Sequence, residues 1–167
     1  MTHLPKTFPE KLGGAPHSKQ SLRLWLRMLS CTILIENTIR NRLAEQFSTT
    51  LPRFDVLSAL ERHPDGLTMG ELSRFLMVSN GNVTGLVSRL EADGFVVRSR
   101  APKDRRTHYV KLTDKGMEQF KAMAHVHENW IDEMFASISV EEENRLMDDL
   151  RQVQNSVIRS NPEKNPS

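Results

Sequence analysis

The stretch from Thr68 to Leu112 constrains the fold more than any other part of the chain. Thr68-Met69-Gly70-Glu71 is a capping box, in which the threonine hydroxyl meets a free N–H of a new helix and the glutamate reaches back to the cap. That helix is short and ends near Leu76. Met77-Val78 form a brief turn. Ser79 then caps a second helix that carries Val83, Leu86, Val87 and Leu90 and is closed by Gly94. Phe95 to Arg100 reads as a strand. So does Thr107 to Leu112, where His108, Val110 and Leu112 alternate with Thr107, Tyr109 and Lys111. Between the strands lies a polar, basic tip, Ala101-Pro102-Lys103-Asp104-Arg105-Arg106.

Helix, tight turn, helix, strand, basic tip, strand is the order of a winged helix-turn-helix. A helix fits the major groove of duplex DNA, where each base pair shows its own pattern of donors and acceptors. The second helix opens Ser79-Asn80-Gly81-Asn82-Val83-Thr84, and Ser79, Asn80, Asn82 and Thr84 are short polar groups able to meet base edges or phosphates. Arg89, further along, reaches toward the backbone or a guanine. At the tip, Lys103, Arg105 and Arg106 supply cations for a narrow minor groove of enhanced negative potential. Asp104 stands two residues before Arg106, so both point the same way in a hairpin and the carboxylate pre-orients the guanidinium.

The flanks are helical. Ser18 to Phe47 reads as one long helix with two apolar lines: Leu22, Leu26, Leu29, Ile33, Leu43 and Phe47 on one, and Leu24, Met28, Ile35 and Ile39 on the other. Two stripes ask for burial on two sides, and a second copy of the chain is a reasonable second surface. Leu51-Pro52 start a shorter helix, with Phe54, Leu57 and Leu60 inward and His63-Pro64-Asp65-Gly66 as its stop. Thr113 caps a long helix with Met117, Phe120, Ala124, His127, Ile131, Met134 and Ile138 in line. Ser139-Val140-Glu141-Glu142 is a second capping box that opens a helix with Leu146, Leu150, Val153 and Val157 on one side. The expected fold is therefore mainly α with a small β-wing. Its divisions are a flexible N-terminal arm (1–17), a long helix (18–51), a winged helix-turn-helix DNA-binding lobe (52–112), C-terminal helices (113–160) and a flexible tail (161–167).

Charge supports a local polyanion contact. The net charge is only +2, but seven Lys/Arg and two Asp lie between Arg98 and Lys115, whereas eight acids and one Arg lie between Glu128 and Leu150. No apolar run approaches the ~18 residues of a membrane span, and Met1 to Glu10 hold no apolar core of a signal peptide. The single cysteine, Cys31, permits no intrachain disulfide and suits the cytoplasm.

With these residues in place the sequence resembles the MarR family of bacterial transcription regulators over roughly residues 22–158. The resemblance is carried by Phe54-Asp55-Val56-Leu57, by Leu67-Thr68-Met69-Gly70-Glu71-Leu72 and by Val83-Thr84-Gly85-Leu86-Val87-Ser88-Arg89-Leu90-Glu91. Above all it is carried by Asp104-Arg105-Arg106 followed by Val110-Lys111-Leu112-Thr113-Asp114-Lys115-Gly116. It implies an intertwined helical homodimer, with 18–51 as a dimerisation helix and 113–160 as C-terminal dimerisation helices, whose two wings straddle a pseudo-palindromic DNA operator, with ligand-controlled repression. By position it puts base reading on Ser79, Asn80, Asn82 and Thr84, and the minor-groove arginine at Arg106 with Asp104 as support. Two residues depart from the pattern: Gly85 stands where many relatives have a long polar or basic residue, and Ser88 where Asp is frequent.

The resemblance also implies a small-molecule effector, an aromatic acid or aromatic acyl-CoA thioester, near the junction of the dimer helices and the DNA-binding lobe. Trp25, Arg27, Met28, Arg40, Arg53 and Phe54 are the candidates, since arginines beside an aromatic suit a carboxylate or phosphate on an apolar body. Competing readings are a winged-helix protein-interaction module without DNA binding and a cysteine-based redox sensor. Cys31, set among Leu29, Ile33 and Leu34 with no cation beside it, reads instead as a buried structural thiol. His125 and His127 point to nearly opposite sides of a helix and cannot chelate one ion, so neither a metal nor another cofactor is expected. No catalytic motif is present, and an enzyme is not expected.

Overall fold

The computed structural model describes residues 16–100 and 108–160, and it divides into two units, Met1–Phe120 and Lys121–Ser167. Helix α1 spans Pro16–Phe47 and α2 spans Leu51–Glu61, with Pro52 in the first turn where a missing N–H costs nothing. A two-residue strand, β1 (Leu67–Thr68), precedes α3 (Met69–Leu76) and α4 (Asn80–Ala92). Strands β2 (Val96–Arg100) and β3 (His108–Leu112) follow, then α5 (Asp114–Phe135) and α6 (Val140–Ser160). The mainly helical chain with a small β-wing is as the pattern predicts. The short strand β1 was not legible in a two-residue segment.

The sheet has the order β1-β3-β2 and is antiparallel throughout. Leu67 lies opposite Val110, and Val96 opposite Leu112. Gly66 makes this closure possible: its φ is +89°, and a Cβ there would stand 2.7 Å from the Val110 carbonyl oxygen. The capping box at α3 is complete. The Glu71 carboxylate accepts from the Thr68 N–H at 2.8 Å, and the Glu71 N–H donates to the Thr68 hydroxyl at 3.2 Å. The Thr68 backbone N–H first, and then the Thr68 hydroxyl, which also donates to the carboxylate at 2.8 Å, hold the Glu71 carboxyl below its ordinary range. The turn into α4 passes through Met77 at φ +54°.

The core of the first unit draws on every element around the helix-turn-helix: Leu43 of α1, Val56, Leu57 and Leu60 of α2, Leu72 of α3, Val83, Val87 and Leu90 of α4, and Val110 of β3 are all buried. Gly116 locks the start of α5, since a Cβ at that position would fall 1.9 Å from the Phe95 carbonyl oxygen. Thr113 caps α5 as expected, accepting from the Gly116 N–H at 3.0 Å and donating to the Gly94 carbonyl at 2.7 Å.

In the second unit Met123 and Trp130 are buried, and His127 meets Trp130 edge-on. Burial holds the His127 imidazole below its usual pKa, as fits a neutral packing residue. The capping box at α6 forms between Ser139 and Glu142. α6 has no buried residue, and Leu146, Leu150, Val153 and Val157 are all exposed.

The sequence places Cys31 among buried neighbours, and the structure corrects this. Cys31 is exposed, as are Leu29, Ile33 and Leu34 around it. Ile39 and Leu43, nearer the C-terminal end of α1, are the residues of this helix that reach the core. Among the described residues, the outer stretch of α1 therefore keeps its apolar groups uncovered.

Candidate nucleic-acid interface

Helix α4 buries one stripe and turns the opposite one outward. Val83, Val87 and Leu90 are fully buried, at 0% exposure each. At 100° per residue the direction opposite them belongs to Gly81, Gly85, Ser88 and Ala92, all small. Among the described residues, nothing lies within 4 Å of where a Cβ would sit on Gly81 or Gly85. Two glycines in a helix cost about 1 kcal/mol each relative to alanine, and no described neighbour requires either of them. A cleft of about 380 Å³ runs along one side of this ridge, lined by Pro52, Val78, Gly81, Asn82, Gly85, Leu86 and Arg89.

The polar first turn stands as the sequence reading has it: Ser79, Asn80, Asn82 and Thr84 are exposed, and so is Arg89. Two details differ. Ser79 occupies the N-cap position with extended backbone, but its side chain makes no capping hydrogen bond. The Thr84 hydroxyl donates to the Asn80 carbonyl at 2.8 Å, which commits its proton inside the helix. Lys103, Asp104, Arg105 and Arg106 lie outside the described residues.

The basic run from Arg98 to Lys115 also needs correction, because charge arithmetic counts cations that the fold employs internally. Arg98 on β2 donates to the Ser88 hydroxyl at 2.8 Å and pairs with Glu91 at 3.4 Å. Lys115 donates to the Asp93 carbonyl at 2.8 Å and stacks over the Phe95 ring at 4.8 Å. Arg53 of α2 reaches the Asp93 carboxylate at 2.5 Å, tying α2 to the C-terminal end of α4. None of these anchors was legible as such, since Arg53, Arg98 and Lys115 meet their partners only across the folded lobe.

The candidate effector residues do not form one cluster within a chain. Trp25, Arg27 and Met28 lie on α1 at least ~18 Å along the axis from Arg40, given a 1.5 Å rise over the intervening residues. Trp25 and Arg27 are exposed and Met28 is half-buried. Arg40 pairs with Glu36 one turn away. Phe54 is buried against the Phe120 ring, 5.7 Å between centroids. Beside Phe54, burial pushes the Asp55 carboxyl up to about 6; Glu36 adds to the rise and Arg40 opposes it.

Among the described residues there is no group of three His, Cys, Asp or Glu side chains placed to hold a metal ion, and no helix is long and apolar enough to cross a membrane.

Comparison with known proteins decides the family. Residues 47–107, the lobe that holds α2 to α4 and β2, match the model of the MarR family. A MarR family transcriptional regulator from Silicibacter pomeroyi is 33% identical, with a TM-score of 0.74 over 86% of this chain and 99% of that one. The chain belongs to the MarR family. Among curated relatives, the transcriptional regulator YkoM of Bacillus subtilis is 39% identical over 67% of this chain and 71% of its own length. The transcriptional activatory protein BadR of Rhodopseudomonas palustris is 36% identical over 61% of this chain, and the match spans 59% of that protein's length. The MarR family regulator Sco3205 of Streptomyces coelicolor, solved in complex with DNA, is 22% identical and shares the fold with a TM-score of 0.74. Members of this family are transcriptional regulators, not enzymes.

Proposed function

We propose that this MarR-family chain works as a homodimer that reads a pseudo-palindromic operator with two α4 helices and two wings, and that a small aromatic acid or its CoA thioester releases it. The observation that carries the DNA-binding part is α4 itself. Its exposed side presents Asn80, Asn82, Thr84 and Arg89 beside a ridge of glycines, while its buried side is locked into the core. A duplex is the partner that rewards a helix with a polar flank, a cation and close access to its own backbone.

Three exposed apolar sets support the dimer: Leu24, Trp25, Leu29, Ile33 and Leu34 on α1, Val140 at the start of α6, and the α6 stripe of Leu146, Leu150, Val153 and Val157. A second copy is the surface that brings Trp25, Arg27 and Met28 of one protomer near Arg40, Arg53 and Phe54 of the other, which one chain keeps apart. Repression is the leading direction of control. Activation is the second reading, favoured by the name of the relative BadR.

The test is a fluorescence-anisotropy titration of the full chain against the DNA flanking its own gene at several salt concentrations. The expected result is sequence-selective binding whose log K falls linearly with log salt, because bound phosphates release counter-ions. Salt-independent binding, or equal affinity for any duplex, overturns the reading. Thermal shift with aromatic acids and their CoA thioesters then tests the effector class.

A further inference from the structure

A DNA-reading helix and a wing act together only if the angle between them is fixed. The Arg98 side chain bridges the two. Arg98 lies on β2, the strand that leads to the wing tip, opposite Val110 of β3. Its guanidinium donates to the Ser88 hydroxyl at 2.8 Å and stands 3.4 Å from the Glu91 carboxylate. The same carboxylate accepts the Arg98 backbone N–H at 3.3 Å, so Glu91 grips both the side chain and the main chain of one strand residue. Ser88 and Glu91 are one turn apart on α4. The clamp is partly shielded from solvent, with 31% of the arginine side chain and 37% of the glutamate side chain exposed. The Arg98 Nε is buried and has no hydrogen-bond partner among the described residues. An arginine that leaves one donor unsatisfied in order to hold two acceptors on a neighbouring helix is spending its charge on geometry rather than on a ligand.

We propose that Arg98 is a positioning residue for DNA recognition: through Ser88 and Glu91 it fixes β2, and with it the wing, at one angle to α4. This rests on the DNA-binding reading above and deepens it. The same arginine can also be read as one more cation facing phosphate, as its place in the basic run suggests. The two readings differ in the sign of a single substitution. If Arg98 touches DNA, removing the Glu91 carboxylate frees the arginine and deletes a negative charge near a polyanion, so binding tightens. If Arg98 positions the wing, the same substitution loosens the clamp and binding weakens.

The experiment uses the full chain and a fluorescein-labelled duplex selected by the wild-type chain from a random-sequence pool. Arg98→Met is expected to weaken binding about tenfold and Glu91→Ala about fivefold. The double variant should be no weaker than Arg98→Met alone, since both changes open one clamp. Hydroxyl-radical footprints should lose the wing's protection and keep that of α4. Thermal melts establish that each variant is folded. Should Glu91→Ala fail to fold, Ser88→Ala at its exposed position carries the test, with an expected loss of about threefold. Glu91→Ala at or above wild-type affinity, or additive losses in the double variant, overturns the proposal alone. If the wild-type chain selects no duplex, the DNA-binding reading falls, and the proposal with it.

Discussion

Helices α4 and α6 are both amphipathic, yet the chain finishes only one of them. α4 buries Val83, Val87 and Leu90 completely, and its far end is tied down by Arg53 through Asp93, by Lys115 and by Thr113. α6 carries an equally regular stripe, Leu146, Leu150, Val153 and Val157, and every member is exposed. The difference separates two kinds of order. The orientation of the DNA-facing helix is settled inside a single protomer. The apolar side of α6 is exposed among the described residues, and the proposed dimer is what would cover it.

Substitutions can break this contrast from either side, and the largest effect on DNA affinity is expected at α6. Leu150→Asp with Val153→Asp puts two charges into the stripe. The pair should leave the isolated lobe's fold intact, as seen in its amide-exchange protection, while sedimentation shows a monomer. DNA affinity should then fall on the order of a hundredfold, since one recognition helix binds without the avidity of two. A dimer that survives both charges removes α6 from the interface.

Within α4 the expectation is different in kind. Leu90→Ala should lower unfolding free energy by about 2–5 kcal/mol, the usual cost of emptying a packed site. That loss should be the same at any protein concentration. The melting temperature of the wild-type chain should itself rise with concentration, because association stabilises whatever it buries. Chemical denaturation at two protein concentrations separates the two behaviours.

Smaller effects should come from residues that touch DNA without supporting the fold. Arg106→Ala should weaken operator binding by about 1–3 kcal/mol with little change in base preference, whereas Asn82→Ala should also relax the preference at one position of each half-site. Gel-shift titration over a panel of single-base operator variants checks both. Equal affinity of Arg106→Ala and wild type removes the wing from the contact.

How much of this was legible in the sequence follows the same division. Local signals read well: the Thr68–Glu71 and Ser139–Glu142 capping boxes, the Thr113 cap and the polar first turn of α4 are set by residues three or four apart, and the structure shows each of them. Long-range pairings did not. Arg98 looked like part of a DNA-facing cationic run because its partners, Ser88 and Glu91, lie across a turn on another element. Arg53 reads in the sequence as a candidate effector ligand, and its tie to Asp93, 40 residues away, is not visible there. Cys31 failed for a related reason. An apolar stripe signals that something must cover it, but not whether the cover comes from the same chain.

The smallest predicted effect lies where α2 faces α1. Asp55 is an acid whose burial, helped by Glu36 and opposed by Arg40, raises its pKa from 3.8 to about 6. Between those values the folded chain holds a proton that the unfolded chain has released. Stability therefore falls as pH climbs through this window, and the loss is complete above about pH 6. Asp55→Asn removes the titrating group while keeping its shape. The variant should be more stable than wild type at pH 7.5 by about 1 kcal/mol, well below a full conversion of the shift because solvent screens part of it. The two should converge at pH 3.5, where the wild-type carboxyl is already neutral. Urea melts at the two pH values measure this directly. A gain of equal size at both would place the cost of Asp55 in lost packing or hydrogen bonding rather than in its charge. The contact between α2 and α1 would then belong with the settled half of the molecule, not with a half that pH can loosen.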